Sequence, residues 1–316
     1  MKRIVINACG LKSKGGITVF KKLVENNTEV KFYIIYDNSE LKQMIGNIEN
    51  IFIKTPRYFH AILNYFIKED DLKYINTFDE IIHLGNFGFK TKIKTSTFIQ
   101  NVLPIVNPFA SLRNFILKIL YTYSLKISDE IIVQQPHVAS LMPTSTKIKT
   151  IGKIKYKNIS QSKNQGFVLI YEDIKNKNPK FIIKFLSELV KLDRKINIVN
   201  VSRYQDLAFL NQSNFKNIVV HNKVDNNELI NIFKSNSHYI HTSEYETVGL
   251  PIYEALESGM KVIVPNEEYI NIDNQNIFKY ILGDVNSLIE TCSISLVSKY
   301  LDEASVPIYY EDWNLN

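Results

Sequence analysis

Thiols are nearly absent from this chain: Cys9 and Cys292 are its two cysteines among 316 residues, and they sit far apart. That excludes a disulfide scaffold and a cysteine-rich zinc site, and it fits a reducing compartment. No apolar run approaches the roughly 18 residues that a membrane-crossing helix requires, so no segment is expected to span a bilayer. The opening MKRIVINACG holds one short apolar run, which reads as a strand and is too short for a signal peptide. No short-period repeat is visible. What is present is a globular composition, 45% hydrophobic and 22% charged, in a chain long enough for two domains at about 150 residues each. The net charge of +6 points weakly to an anionic partner such as a phosphate ligand or a membrane surface, and a lysine-rich solvated surface explains it as well.

Short apolar runs alternate with amphipathic stretches. Lys2–Asn7, Val30–Tyr36, Ile51–Lys54, Glu80–Leu84, Thr97–Asn101 and Glu130–Val133 read as strands. Helices are expected from about Ile17 to Asn26 and from Pro108 to Ile127. Residues 150–164 are polar and basic without a period, which reads as an interdomain linker. Alternation resumes with strands at Gly166–Tyr171, Ile196–Val201, Asn217–Val220, His238–Thr242 and Lys261–Val264. Helices over Pro179–Leu192, Asn226–Ser235, Gly249–Glu257 and Asn286–Ser298 lie between and after them. This pattern predicts an α/β protein of two Rossmann-like, doubly wound domains, 1–155 and 156–316, facing an interdomain cleft. Ligands are expected at the carboxyl ends of the strands.

The most informative stretch is Ser243-Glu244-Tyr245-Glu246-Thr247-Val248-Gly249-Leu250-Pro251-Ile252-Tyr253-Glu254-Ala255, which follows a predicted strand and opens a predicted helix. Gly249 lets backbone approach a ligand, and Pro251 suits the first helical position. The amides of Val248, Gly249 and Leu250 then favour a phosphate. Glu246 lies ahead of the turn and Glu254 about one turn inside the helix. A carboxylate accepts from two adjacent hydroxyls, as on a sugar or ribose, so the segment has the layout of a sugar-nucleotide site.

With Gly259 after the helix and the strand KVIV beyond, this segment resembles the E-x7-E signature of retaining glycosyltransferases of family 4, which have the GT-B fold. The resemblance implies that Glu246 holds sugar hydroxyls and Glu254 the ribose. Lys177, in Lys177-Asn178-Pro179, resembles the lysine that neutralises the donor diphosphate. The family usually places an arginine five residues earlier, where this chain has Glu172; that carboxylate is expected to turn away and pair with Lys175 or Lys177. Asn222, Lys223 and Val224 resemble the loop that frames the base, with Asn222 standing where the family has a glycine at positive φ. In the N-terminal domain, Gly15-Gly16 resembles the glycine-rich loop after the first strand, which abuts the donor phosphates. Gln100-Asn101-Val102-Leu103-Pro104 resembles a His-Asn-x-x-Pro segment, with Gln100 replacing the histidine and Asn101 and Pro104 as acceptor-side candidates.

The implied activity is metal-independent, retaining transfer of a sugar from a nucleotide-diphosphate sugar to a glycan or lipid-linked glycan hydroxyl. It would take place in the cytoplasm, in the synthesis of a bacterial surface polysaccharide, lipopolysaccharide or capsule. No cofactor, metal or nucleic acid is expected. No Asp-x-Asp pair exists, which argues against a metal-dependent GT-A enzyme. Alternation puts His238 and His241 on opposite strand faces, against a shared metal. Residues 109–127 mix basic and apolar side chains, so they could lie peripherally on a membrane. Packing of one apolar face on the sheet is preferred, because the sheet needs covering. The rival classes are a non-catalytic sugar-nucleotide or glycan-binding subunit and a Rossmann oxidoreductase or epimerase. The second is weakened because Gly10, Gly15 and Gly16 do not form Gly-x-Gly-x-x-Gly.

Overall fold

The structure is a computed structural model that describes residues 1–11, 14–53, 67–143, 146–160, 166–202, 216–299 and 303–315. It divides into two compact units, Met1–Lys153 with Glu311–Asn316, and Ile154–Tyr310. The last residues thus belong with the first unit, a correction to the division into 1–155 and 156–316 that the alternation predicts.

Unit 1 is built on a parallel sheet of seven strands. These are β1 (Arg3–Asn7), β2 (Lys31–Tyr36), β3 (Glu49–Phe52), β4 (Glu80–His83), β5 (Lys94–Ile99), β6 (Glu130–Val133) and β7 (Lys147–Thr150). Their order is β3-β2-β1-β4-β5-β6-β7. The order reverses direction between β1 and β4, and a doubly wound sheet opens its ligand crevice at such a reversal. Central strands such as β4, EIIH, are buried along their whole length, as sheets covered on both faces require. Helices on the two faces include α1 (Lys14–Glu25), α2 (Ser39–Ile45), α3 (Glu69–Ile75), α4 (Leu103–Val106), α5 (Leu112–Ile127) and α6 (Pro136–Ala139).

A strand, β8 (Gly152–Ile159), occupies most of the stretch read as a linker. It pairs in a two-stranded sheet with a late strand over Ala304–Glu311 and is exposed along most of its length. Lys153-Ile154-Lys155-Tyr156-Lys157 does alternate, but the run is short and set among polar residues, so the segment as a whole reads as polar.

Unit 2 repeats the unit 1 plan with β9 (Gly166–Tyr171), β10 (Lys195–Asn200), β11 (Ile218–Asn222), β12 (His238–Ile240), β13 (Lys261–Pro265) and β14 (Ile277–Tyr280), followed by β15 (Ala304–Glu311). The six parallel strands run β11-β10-β9-β12-β13-β14, so the reversal lies between β9 and β12. Helices α7 (Pro179–Leu189), α8 (Asn226–Lys234), α9 (Leu250–Glu257) and α10 (Val285–Val297) connect them. Their ends carry the expected chemistry. Asp225 and Glu228 form a reciprocal capping box on α8, Pro179 and Pro251 sit in the first turns of α7 and α9, and Asp284 caps α10. One apolar cluster packs α7 and α10 on the sheet through Phe185, Leu189, Ile198 and Leu288. Another packs α9 through Ile252, Leu256, Val262 and Val264. Burying each such side chain contributes about 1.5–3 kcal/mol.

Candidate active site

The reversal point of unit 2 is where the sequence candidates meet. The turn after β9 carries Lys177, and the loop after β12 carries Glu246. Asn178 adopts the left-handed conformation (φ 54°) that turns the chain into Pro179 and α7. The turn is stitched to the loop by four hydrogen bonds. Asn176 Nδ2 donates to Tyr245 O at 2.7 Å, and Glu244 N donates to Asn176 O at 2.8 Å. Asn178 Nδ2 donates to Thr242 O, and Thr242 Oγ1 to Lys177 O, both at 3.0 Å. This framework presents the Lys177 ammonium to the Glu246 carboxylate in an ion pair. Ser243 Oγ donates to the same carboxylate oxygen at 2.7 Å, and Tyr269 OH anchors Ser243 O at 2.6 Å. Burial opposes the charge on Glu246, but the Lys177 ammonium, His241 and the two hydrogen bonds outweigh it and hold the carboxyl below its usual pKa.

Gly249 has φ 69°, and a Cβ there would approach Ile252 Cδ1 to 3.1 Å. This left-handed residue turns the loop into α9. Among the described residues, none of the amides of Val248, Gly249 and Leu250 donates to another protein group. They are the orphan donors that a helix N-terminus offers to an anion. Glu254 lies half-buried one turn inside α9, and its charge, after burial and the charge of Glu246, contributes to raising the pKa of the Tyr239 phenol.

Three sequence expectations are corrected. Glu172 is half-buried and forms no ion pair among the described residues; Lys177 is held by Glu246 instead. Asn222 ends β11 in extended backbone, its Oδ1 accepting from Asn200 Nδ2 at 2.8 Å, and the residue at positive φ is Lys223 (57°). The turn thus falls one residue later, because Asn222 still pairs with Asn200 in the ladder. Gly15 and Gly16 are not in a loop: α1 begins at Lys14 and takes both into its first turn.

In unit 1, an added Cβ at Gly15 would lie 3.4 Å from Gln100 Nε2, so these two candidates are neighbours. Asn86, at φ 67°, fixes the segment after β5 by accepting from the amides of Gln100 (2.6 Å) and Asn101 (3.0 Å). Asn101 is exposed, and Pro104 is buried in the first turn of α4. His83, His238 and His241 are all buried, and no group of three or more His, Cys, Asp or Glu among the described residues is arranged to hold a metal. Sequence reasoning missed Asn176, Ser243 and Tyr269. The short polar residues flanking Lys177 were a usable signal for the first. Nothing local marks Tyr269, which reaches Ser243 from a distant loop.

Residues 152–273 match the family model of glycosyl transferases group 1. That match spans the part of unit 2 that carries Lys177, Glu246 and Glu254. No curated protein sequence matches closely enough to be called a relative. Among solved structures, sucrose-phosphate synthase of Thermosynechococcus elongatus is similar with a TM-score of 0.67 at 13% identity, over 94% of this chain and 90% of that one. HepE of Anabaena, solved with UDP and glucose, gives 0.67 at 10% identity over 94% and 90%. TarM of S. aureus gives 0.63 at 12% identity, over 94% of both chains. At such identities the likeness is one of fold, and that fold is GT-B.

Proposed function

We propose that this chain transfers a sugar from a UDP-sugar to a hydroxyl of a glycan or lipid-linked glycan, with retention of anomeric configuration, in building a bacterial surface polysaccharide. The observation that carries the reading is the convergence, at the reversal point of unit 2, of Lys177, Glu246 and the unpaired amides opening α9. The choice of UDP is supported by HepE and by the pneumococcal O-GlcNAc transferase GtfA, both solved with UDP. In the proposed reaction the acceptor oxygen bonds to the anomeric carbon as the bond from that carbon to the diphosphate oxygen breaks. Positive charge develops on the sugar, negative charge on the leaving diphosphate, and a diphosphate oxygen takes the acceptor proton. Lys177 and the amides of Val248, Gly249 and Leu250 stabilise the leaving group. Glu246 orients the sugar hydroxyls, and Glu254 accepts from the ribose hydroxyls. Asn222 and Lys223 are proposed to frame the base, and Gly15, Gly16, Gln100, Asn101 and Pro104 are proposed for the donor and acceptor side of unit 1.

Glu254→Ala is expected to weaken UDP binding by about 1–3 kcal/mol, because ribose hydroxyls lose their acceptor. Isothermal calorimetry with the folded variant measures this, and unchanged affinity would remove Glu254 from the site. Transfer is expected to survive excess EDTA, since helix amides and a lysine take the place of a cation at the diphosphate. Loss of activity in EDTA with recovery in Mn²⁺ would contradict that assignment. A second reading, a sugar-nucleotide-binding subunit, draws on Glu172 standing where the family carries arginine. Enzymatic release of free UDP from a UDP-sugar separates the two.

A further inference from the structure

Helix α5 has two apolar faces, and the sheet uses only one. Leu117, Tyr121, Ser124 and Leu125 are buried in unit 1. At about 100° per residue, Leu112, Ile116, Ile119 and Tyr123 fall on the opposite side, with Phe115 beside them. These residues are exposed, Leu112 at 76% and Ile119 at 56%, and Phe109 in the turn before the helix is exposed at 82% and stacks on Phe115 with ring centroids 6.1 Å apart. The preference for packing α5 on the sheet therefore accounts for half of its apolar residues and leaves a contiguous outer stripe. A stripe of this kind marks an interaction surface.

Charge identifies the occupant. No aspartate or glutamate lies anywhere from Ile81 to Ser128. Within α5, Arg113 lies on one flank of the stripe and Lys118 on the other, while Lys126 closes its C-terminal end. The Lys118 ammonium sits 6.0 Å from the Phe109 ring centroid. Apolar side chains in the middle with long basic stems at both edges match the boundary of an anionic bilayer, where the stems reach up to headgroups while the stripe enters the acyl region. A second copy seated symmetrically on this face would set Arg113, Lys118 and Lys126 against like charges. No helix among the described residues is long and apolar enough to cross a membrane. We propose that α5, with Phe109, is an in-plane anchor that seats unit 1 on an anionic lipid surface.

This inference does not rest on Lys177, Glu246 or Glu254, which lie in the other unit. It is tested by co-sedimentation of the full chain with vesicles of phosphatidylcholine alone or mixed with phosphatidylglycerol. Binding is expected to the mixed vesicles, weaker to phosphatidylcholine, and to fall as salt rises. The double variant Phe109→Ser, Ile119→Ser and, separately, Lys118→Glu should each reduce partitioning to mixed vesicles, the first at least about tenfold. Both should keep the parent melting temperature, because the altered side chains are exposed, and should keep UDP affinity. Absence of binding to mixed vesicles, equal binding to both vesicle types, or undiminished binding by both variants would overturn the proposal. So would a solution dimer that the double variant dissociates, which would make the stripe a contact between copies.

Discussion

Lys177→Ala is expected to lower kcat/KM for sugar transfer about 10²–10³-fold, the usual loss when one preorganised donor to a developing anion is removed. The ammonium is held by Glu246, which itself keeps Ser243 as a second donor. In the proposed reaction an arriving diphosphate would offer Lys177 a more highly charged partner and leave Glu246 to sugar hydroxyls. Removing the side chain therefore takes charge from the leaving group and also frees Glu246 to swing from its position. The turn that carries residue 177 is held through Asn176, Asn178 and the backbone carbonyl of Lys177, so the fold should persist. Lys177→Arg keeps the charge but changes its shape, and should recover part of the loss. Steady-state kinetics with a competent donor and acceptor decide the matter. A variant within threefold of the parent would reduce the Lys177–Glu246 contact to a structural ion pair.

The glutamates at 246 and 254 were legible because one short segment fixes both. A strand, a left-handed glycine, a proline in the first helical turn and a carboxylate one turn later are all local features, and they fix their own geometry. Lys177 was legible as a residue but not its partner. The pairing joins two loops distant in sequence, and it depends on β9 and β12 lying side by side, which the sequence does not display. The one-residue displacement at Asn222 and Lys223 has the same origin: the residue pair Asn200 and Asn222 extends the ladder, and a cross-strand hydrogen bond leaves no local mark. Strand β8 alternates over Lys153–Lys157 only and runs without a break into the polar residues after it, so the segment as a whole reads as polar. The outer stripe of α5 was visible as composition, yet a helix apolar on two sides gives no single period from which to choose the face that meets the sheet.

Acid should unfold unit 2 before unit 1. His83 in unit 1 and His238 and His241 in unit 2 are buried and held neutral, chiefly by burial, with pKa values lowered to about 3, about 4 and about 4. The positive charges of Lys261 and Arg194 add to the lowering at His238, and that of Lys177 at His241. His221 in unit 2 is also lowered, by burial and by Lys195. In the unfolded chain a histidine titrates near 6.5, so below that pH the unfolded state binds protons that the folded state refuses. Stability from these groups is complete above pH 6.5 and declines as the pH falls toward the folded values. At pH 5 each of the three strongly shifted histidines forfeits about 2 kcal/mol, so about 4 kcal/mol is lost in unit 2 and about 2 kcal/mol in unit 1. Against a total of about 5–15 kcal/mol for a typical domain, the first loss is large. The single tryptophan, Trp313, is buried in unit 1 beside Phe98, with ring centroids 5.2 Å apart, and reports that unit alone. Between pH 6.5 and 4, far-ultraviolet circular dichroism should therefore begin to fall while Trp313 fluorescence still shows its native maximum. His238→Asn with His241→Asn should flatten the pH dependence of unit 2, whatever it does to stability at pH 7, because the groups that titrate are gone. Coincident transitions, or a denaturant midpoint equal at pH 5 and pH 7, would refute the account.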